Sequence, residues 1–114
     1  MRFSVIIPVL GVLLLTVPAT AASFDCTRAR GRDEQAVCAS RALSERDVEM
    51  AVRYDMLAGL VAMGTRGDMG DAQRAFLASR RRCGSDARCL TLLYHTRIAV
   101  LKSQYDALKQ RGPF

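Results

Sequence analysis

The chain has 114 residues, with 17 Lys and Arg against 11 Asp and Glu, a single His and no Trp. That length excludes a large enzyme with its own cofactor domain and leaves room for one small domain. Fifteen of the basic residues are Arg, which directs attention to anionic partners.

Met1 and Arg2 open the chain, an apolar stretch runs from Phe3 to Val17, and the small residues Pro18-Ala19-Thr20-Ala21-Ala22-Ser23 follow. This order predicts a secretory signal peptide over residues 1–22, cut after Ala21 or Ala22. The apolar block is shorter than the roughly 20 residues that span a bilayer, so the processed chain is not expected to be an integral membrane protein. Removing 22 of the 114 residues leaves 92, carrying 16 Lys and Arg against 11 Asp and Glu, a charge of about +5.

Residues 23–31 show no sustained period and read as an extended entry. Arg32 to Ala39 is a short helix, with Asp33 and Glu34 favouring its first turn through the helix dipole. Ser44 is the expected N-cap of the next helix, with Asp47 reaching back three residues later as a variant capping box. Leu43, Met50, Tyr54, Leu57 and Val61 then recur at helical spacing, to about Met63. Gly64, Gly67 and Gly70 break that pattern and predict a flexible connection. Asp71 caps a helix over Ala72–Cys83, with Gly84 just past its end. Ser85 or Asp86 opens the last helix, to about Gln110, whose apolar positions are Leu90, Tyr94, Ile98, Leu101, Tyr105 and Leu108. Gly112-Pro113 stops it. No segment alternates with period two, so the expected fold is all-α, one short and three longer helices in a loose hairpin or bundle.

All four cysteines, Cys26, Cys38, Cys83 and Cys89, follow the predicted cleavage site. An even count in a small exported domain predicts two disulfides. Three connectivities are open; the local one, Cys26–Cys38 with Cys83–Cys89, needs the least long-range assembly. A zinc site is disfavoured, because the 11 and 5 intervening residues are wider than the two to four typical of zinc-binding pairs.

Two charged residues fall on apolar stripes: Asp47, between Leu43 and Met50, and Arg97, between Tyr94 and Leu101. A lone buried charge is costly, so these two are expected to pair where the long helices cross. The alternative leaves Asp47 serving only the cap.

Candidate chemistry is thin. His95 is alone, with no nucleophile at a useful spacing, and Asp47 and Glu49 point to different helix faces, so no enzymatic activity is expected. Met50, Met56, Met63 and Met69 do not converge as a copper(I) site: Met50 reads as core, Met56 and Met63 as filler near a loop. No metal or cofactor is expected. Two arginine clusters remain, Arg28, Arg30 and Arg32, then Arg80, Arg81, Arg82 and Arg88. Such clusters grip phosphate or carboxylate groups, although a solvated surface is the plainer reading. Nucleic acid fits the charge but conflicts with export and with the lack of stacking aromatics.

An ordered set of motifs spans the chain: Phe24-Asp25-Cys26, Glu34-x-Ala36-Val37-Cys38, Leu43-Ser44-x-x-Asp47 and Tyr54. Then come Gln73-x-x-Phe76-Leu77-x-x-Arg80-x-x-Cys83-Gly84, Asp86-x-x-Cys89-Leu90 and Tyr94-x-x-Arg97-Ile98-x-x-Leu101. The set resembles the lysozyme inhibitor LprI-like family, small exported helical domains of the bacterial envelope. Phe76 stands where members of that family often carry Trp, and no lipobox precedes Cys26, so the expected form is periplasmic or secreted rather than lipid-anchored. The resemblance implies inhibition of lysozyme or another wall hydrolase; a loop such as residues 64–71 could make the contact. Animal-type lysozymes are basic, so a domain near +5 meets them against long-range repulsion. The other expectation, from the residues themselves, is a binder of an anionic envelope component such as lipid, lipopolysaccharide or peptidoglycan.

Overall fold

The computed structural model describes residues 21–112, and the signal-peptide reading therefore rests on residues lying almost wholly outside the described ones. A 3-10 turn at Cys26–Arg28 leads into α1 (Arg32–Ala39), α2 (Arg41–Leu60), α3 (Met63–Cys83) and α4 (Ala87–Lys109). Among the described residues there is no strand, and the fold is the expected all-α class with one short and three longer helices. Both disulfides take the local pairing, Cys26–Cys38 and Cys83–Cys89, with Cα–Cα separations of 5.8 and 5.5 Å. No helix among the described residues is long and apolar enough to cross a membrane.

Helix α4 is the organising element. It packs chiefly on α2 and also on α3, while the short α1 lies against α2 and α3. Its stripe supplies Leu90, Tyr94, Ile98 and Leu101 to the core, which meet Leu43, Met50 and Leu57 of α2, Met69 and Phe76 of α3 and Val37 of α1. Phe76 and Tyr94 meet edge to face with centroids 5.3 Å apart, a favoured aromatic geometry. The apolar stripe ends sooner than its period suggests: Tyr105 is exposed and Leu108 half-buried.

Ser40, not Ser44, begins α2. The Ser40 hydroxyl accepts from the Leu43 amide at 3.3 Å, an ordinary N-cap bond. Ser44 is fully buried instead, donating to the Val37 carbonyl at 2.6 Å and so tying α2 to α1. Asp47 therefore sits in the second turn, outside any capping box.

Residues 64–71 are helical rather than a loop, and Asp71 lies inside α3 instead of capping it. Two contacts outweigh the poor helix propensity of three glycines. Arg66 donates to the Ala58 carbonyl at 2.8 Å and to the Val61 carbonyl at 3.3 Å, satisfying orphan acceptors at the end of α2. Met69 is buried in the core, and a fully buried Met contributes roughly 1.5–3 kcal/mol. Gly64 and Gly67 have nothing within 4 Å of an added Cβ. Each Gly→Ala substitution there is expected to stabilise by about 0.5–1 kcal/mol, read as a raised urea midpoint.

The turn from α3 into α4 is set by two residues. Gly84, at φ +56°, ends α3, a backbone region where Gly avoids the Cβ clash. Asp86 accepts from the Arg88 and Cys89 amides, both at 3.0 Å, and caps α4 as expected.

Candidate functional site

A cluster of buried charges lies where α1, α2, α3 and α4 converge. Asp47 of α2 is completely buried, with Asp33 of α1 and Arg80 of α3 almost so. Arg80 Nε donates to Asp33 Oδ2 at 2.8 Å, and its Nη1 lies 3.6 Å from Asp47 Oδ1. Glu34, partly exposed, is 3.9 Å from Arg80 Nη2. Tyr94 of α4 donates its hydroxyl to Asp47 Oδ1 at 2.7 Å. Ser23 closes the other side, its amide and hydroxyl both reaching Asp47 Oδ2, at 2.7 and 2.5 Å. The Phe24 ring covers the Arg80 guanidinium at 5.1 Å, a cation–π contact. No fully buried side-chain polar atom among the described residues lacks a hydrogen bond, which is the condition for tolerating such a cluster.

The expected Asp47–Arg97 pair does not form. Both residues are buried near the helix crossing, but Asp47 takes Arg80, Tyr94 and Ser23. Arg97 donates instead to Gln73 Oε1, through Nε at 3.1 Å and Nη2 at 3.0 Å. Gln73 in turn contacts Met50 Sδ at 3.2 Å, so α2, α3 and α4 are linked through a neutral amide. Arg80 lies one helical turn beyond Phe76 and thus inside the packed face, which outranks Arg97 as counter-charge. Arg80 accordingly leaves the candidate partner-binding set and is structural.

Burial and the neighbouring charges shift these groups. Burial holds the Tyr94 hydroxyl above its ordinary value of 10.0, and the Asp47 carboxylate adds to this against the opposing effect of Arg80. Burial alone disfavours the Arg80 charge, but Tyr94 and Asp33 more than compensate and its value is raised. Burial lowers that of Arg97, with Tyr54 opposing. Because Tyr94 keeps its proton in the folded state where the unfolded chain releases it, its contribution is complete below about pH 10. Above that, stability is expected to fall by about 1.4 kcal/mol per pH unit through Tyr94. Urea unfolding near pH 8 and near pH 11 checks this; Tyr94→Phe should lower stability at pH 8 but flatten the alkaline loss.

The other candidate arginines, Arg28, Arg30, Arg32, Arg81, Arg82 and Arg88, are exposed. Links between neighbouring residues bring the backbones of the two sequence clusters toward the same end of the fold. Asp33, next to Arg32, is bonded to Arg80, next to Arg81. Cys83, next to Arg82, is bonded to Cys89, next to Arg88. Arg28 lies 4.0 Å from Asp25, and Arg82 donates to Ser79 at 2.7 Å. Arg30, Arg32, Arg81 and Arg88 make no ion pair among the described residues.

Two residues adjoin this basic corner that the linear clusters did not include. A shallow groove of about 600 Å³ between α2 and α4 is lined by Arg46, Arg88, Leu92 and His95. It continues along α4 in a second depression of about 610 Å³, whose lining includes Glu49, Lys102 and Asp106. Nothing in the spacing of Arg46 and His95 places them together. Among the described residues no group of three or more His, Cys, Asp or Glu could hold a metal ion.

Fold and site define a small all-α domain, stapled by two disulfides around a buried ion cluster and basic at one corner. No protein-family model, no curated protein and no solved structure matches the chain.

Proposed function

We propose that this is an exported, non-catalytic protein of the bacterial envelope, periplasmic or secreted, whose exposed arginines bind an anionic envelope component. The observation that supports it most is that the exposed guanidinium groups of Arg30, Arg32, Arg81 and Arg88, on backbone segments linked by the Asp33–Arg80 pair and the Cys83–Cys89 bridge, form no ion pair among the described residues. Unneutralised guanidinium groups on a rigid, disulfide-held frame suit phosphate or carboxylate oxygens.

Hydrolase inhibition is the second reading, and it rests on the resemblance to the LprI-like family. The residues that carry the resemblance, among them Cys38, Leu43, Asp47, Phe76, Arg80, Cys83, Leu90, Tyr94, Arg97 and Leu101, are core, network or disulfide residues. They specify how the chain folds; an inhibitory contact has to be made by other residues. The loop expected to make it is part of α3, so the first reading is preferred.

The test is binding of the exported protein to phosphatidylglycerol-containing vesicles and to phosphatidylcholine vesicles, from about 0.05 to about 0.5 M salt. Binding to the anionic vesicles alone, weakening steeply with salt, is the expected result. Saturable one-to-one binding to a basic animal-type lysozyme at physiological salt, with loss of lysis and no vesicle binding, would establish the second reading instead.

A further inference from the structure

The buried cluster is one positive charge short. Asp33 and Asp47 are both buried and share one buried cation, Arg80, while Arg97 is committed to Gln73. The fourth side of Asp47 is filled by the backbone nitrogen of Ser23, 2.7 Å from Oδ2. That nitrogen belongs to the peptide bond between Ala22 and Ser23, one of the two bonds at which the small-residue pattern allows a signal peptidase to cut.

We propose that cleavage falls between Ala22 and Ser23 and that the new α-ammonium of Ser23, on a residue that is itself exposed, becomes the second cation of the cluster, paired with the buried Asp47. The inference rests on the export reading above. Hydrolysis adds water across the bond: hydroxide goes to the Ala22 carbonyl, which leaves as a carboxylate, and protons complete the Ser23 ammonium. Before the cut, Ser23 offers Asp47 a neutral amide; afterwards, at the same position, it offers a full charge. The amide-to-carboxylate bond is charge-assisted through Asp47 alone; the ammonium adds a positive donor, which makes the contact an ion pair. The groups facing the ammonium site are Asp47 from α2 and, on that carboxylate's other oxygen, Tyr94 from α4 and Arg80 from α3, with Asp33 of α1 beyond Arg80. Ser23 adds its own hydroxyl to Asp47 Oδ2 at 2.5 Å. The processed protein thereby gains an ion pair at the point where its chain begins, and gives up with the leader the buried methyl group of Ala22.

The experiment expresses the full coding chain with export, purifies the protein from the cell envelope or medium and measures its intact mass. A chain beginning at Ser23 is expected. A chain that retains residues 1–22 overturns both this inference and the export reading. One beginning at Ala22, or at any residue other than Ser23, overturns the inference and leaves export standing. The α-amine is then acylated at neutral pH in the folded protein and in urea, with Lys102 and Lys109 as internal references. An α-amine paired with Asp47 is held in its protonated, unreactive form and should react about tenfold more slowly when folded. Equal rates contradict the pairing. In Asp47→Asn the rate should return to that of the unfolded chain, and a folded variant still tenfold protected also contradicts it. Should that variant not fold, the wild-type ratio and its persistence in Ser23→Ala, which retains the amine, decide the matter.

Discussion

Replacing Arg80 by Ala is expected to lower the unfolding free energy by about 3–5 kcal/mol, because it leaves Asp33 and Asp47 buried without their shared cation. Against a total of roughly 5–15 kcal/mol for a domain, that is a large share of the stability. Asp47→Ala should cost a comparable amount, since it strips the acceptor from Tyr94 and Ser23 as well as from Arg80. The two losses share one network, so the double variant should fall short of their sum by about 1–3 kcal/mol. Arg97→Ala is the contrast. Its partner is the neutral oxygen of Gln73, and its loss should cost about 1–3 kcal/mol and add to that of Asp47→Ala without coupling. Urea unfolding of the three single and two double variants checks the assignment, and coupling of Asp47 to Arg97 rather than to Arg80 would overturn it.

Loss of both disulfides should be nearly as damaging. The bridges close loops of 12 and 6 residues in sequence separation, and on the chain-entropy model each contributes roughly 2–3 kcal/mol. Reduction should therefore lower the melting temperature by about 20 °C or more for a domain of this size. The Cys26–Cys38 bridge carries a second task, since it anchors the segment that brings Ser23 and Phe24 onto the ion cluster. Replacing that pair should loosen the N-terminal segment and expose Asp47, read as faster amide exchange at Ser44 and Asp47. The Cys83–Cys89 pair, replaced alone, should leave those amides protected and act instead on the turn at Gly84.

The helices with strong local signals were readable from the sequence. α1 has the bounds that its acidic first turn and Val37 predict, and α4 follows its periodic apolar stripe and the Asp86 cap. The glycine segment is helical against its local signal because propensity is a weak preference, and in α3 the burial of Met69 and the reach of Arg66 to the α2 carbonyls decide the outcome. Asp47 announced itself as a polar residue on an apolar face, but its partner did not. Arg80 sits in a run of three arginines that reads as surface, and only its place four residues after Phe76 and three before Cys83 marks it as inward. Asp33 was concealed in the same way, as one more acidic residue in a first helical turn. The groove formed by Arg46, Arg88 and His95 joins two helices far apart in sequence, and no spacing rule connects them.

The most direct measurement compares the wild-type protein with Arg30→Ala/Arg81→Ala/Arg88→Ala on anionic vesicles, alongside the melting temperature of each. Each arginine near an anionic surface contributes about 1 kcal/mol, so the triple variant should bind about two orders of magnitude more weakly. Its melting temperature should stay within a few degrees of wild type, because these three side chains take no part in the buried cluster. Unchanged vesicle binding by the triple variant would contradict the assignment of function to the exposed arginines, and a collapse in its melting temperature would contradict the division between a buried structural network and a free basic corner.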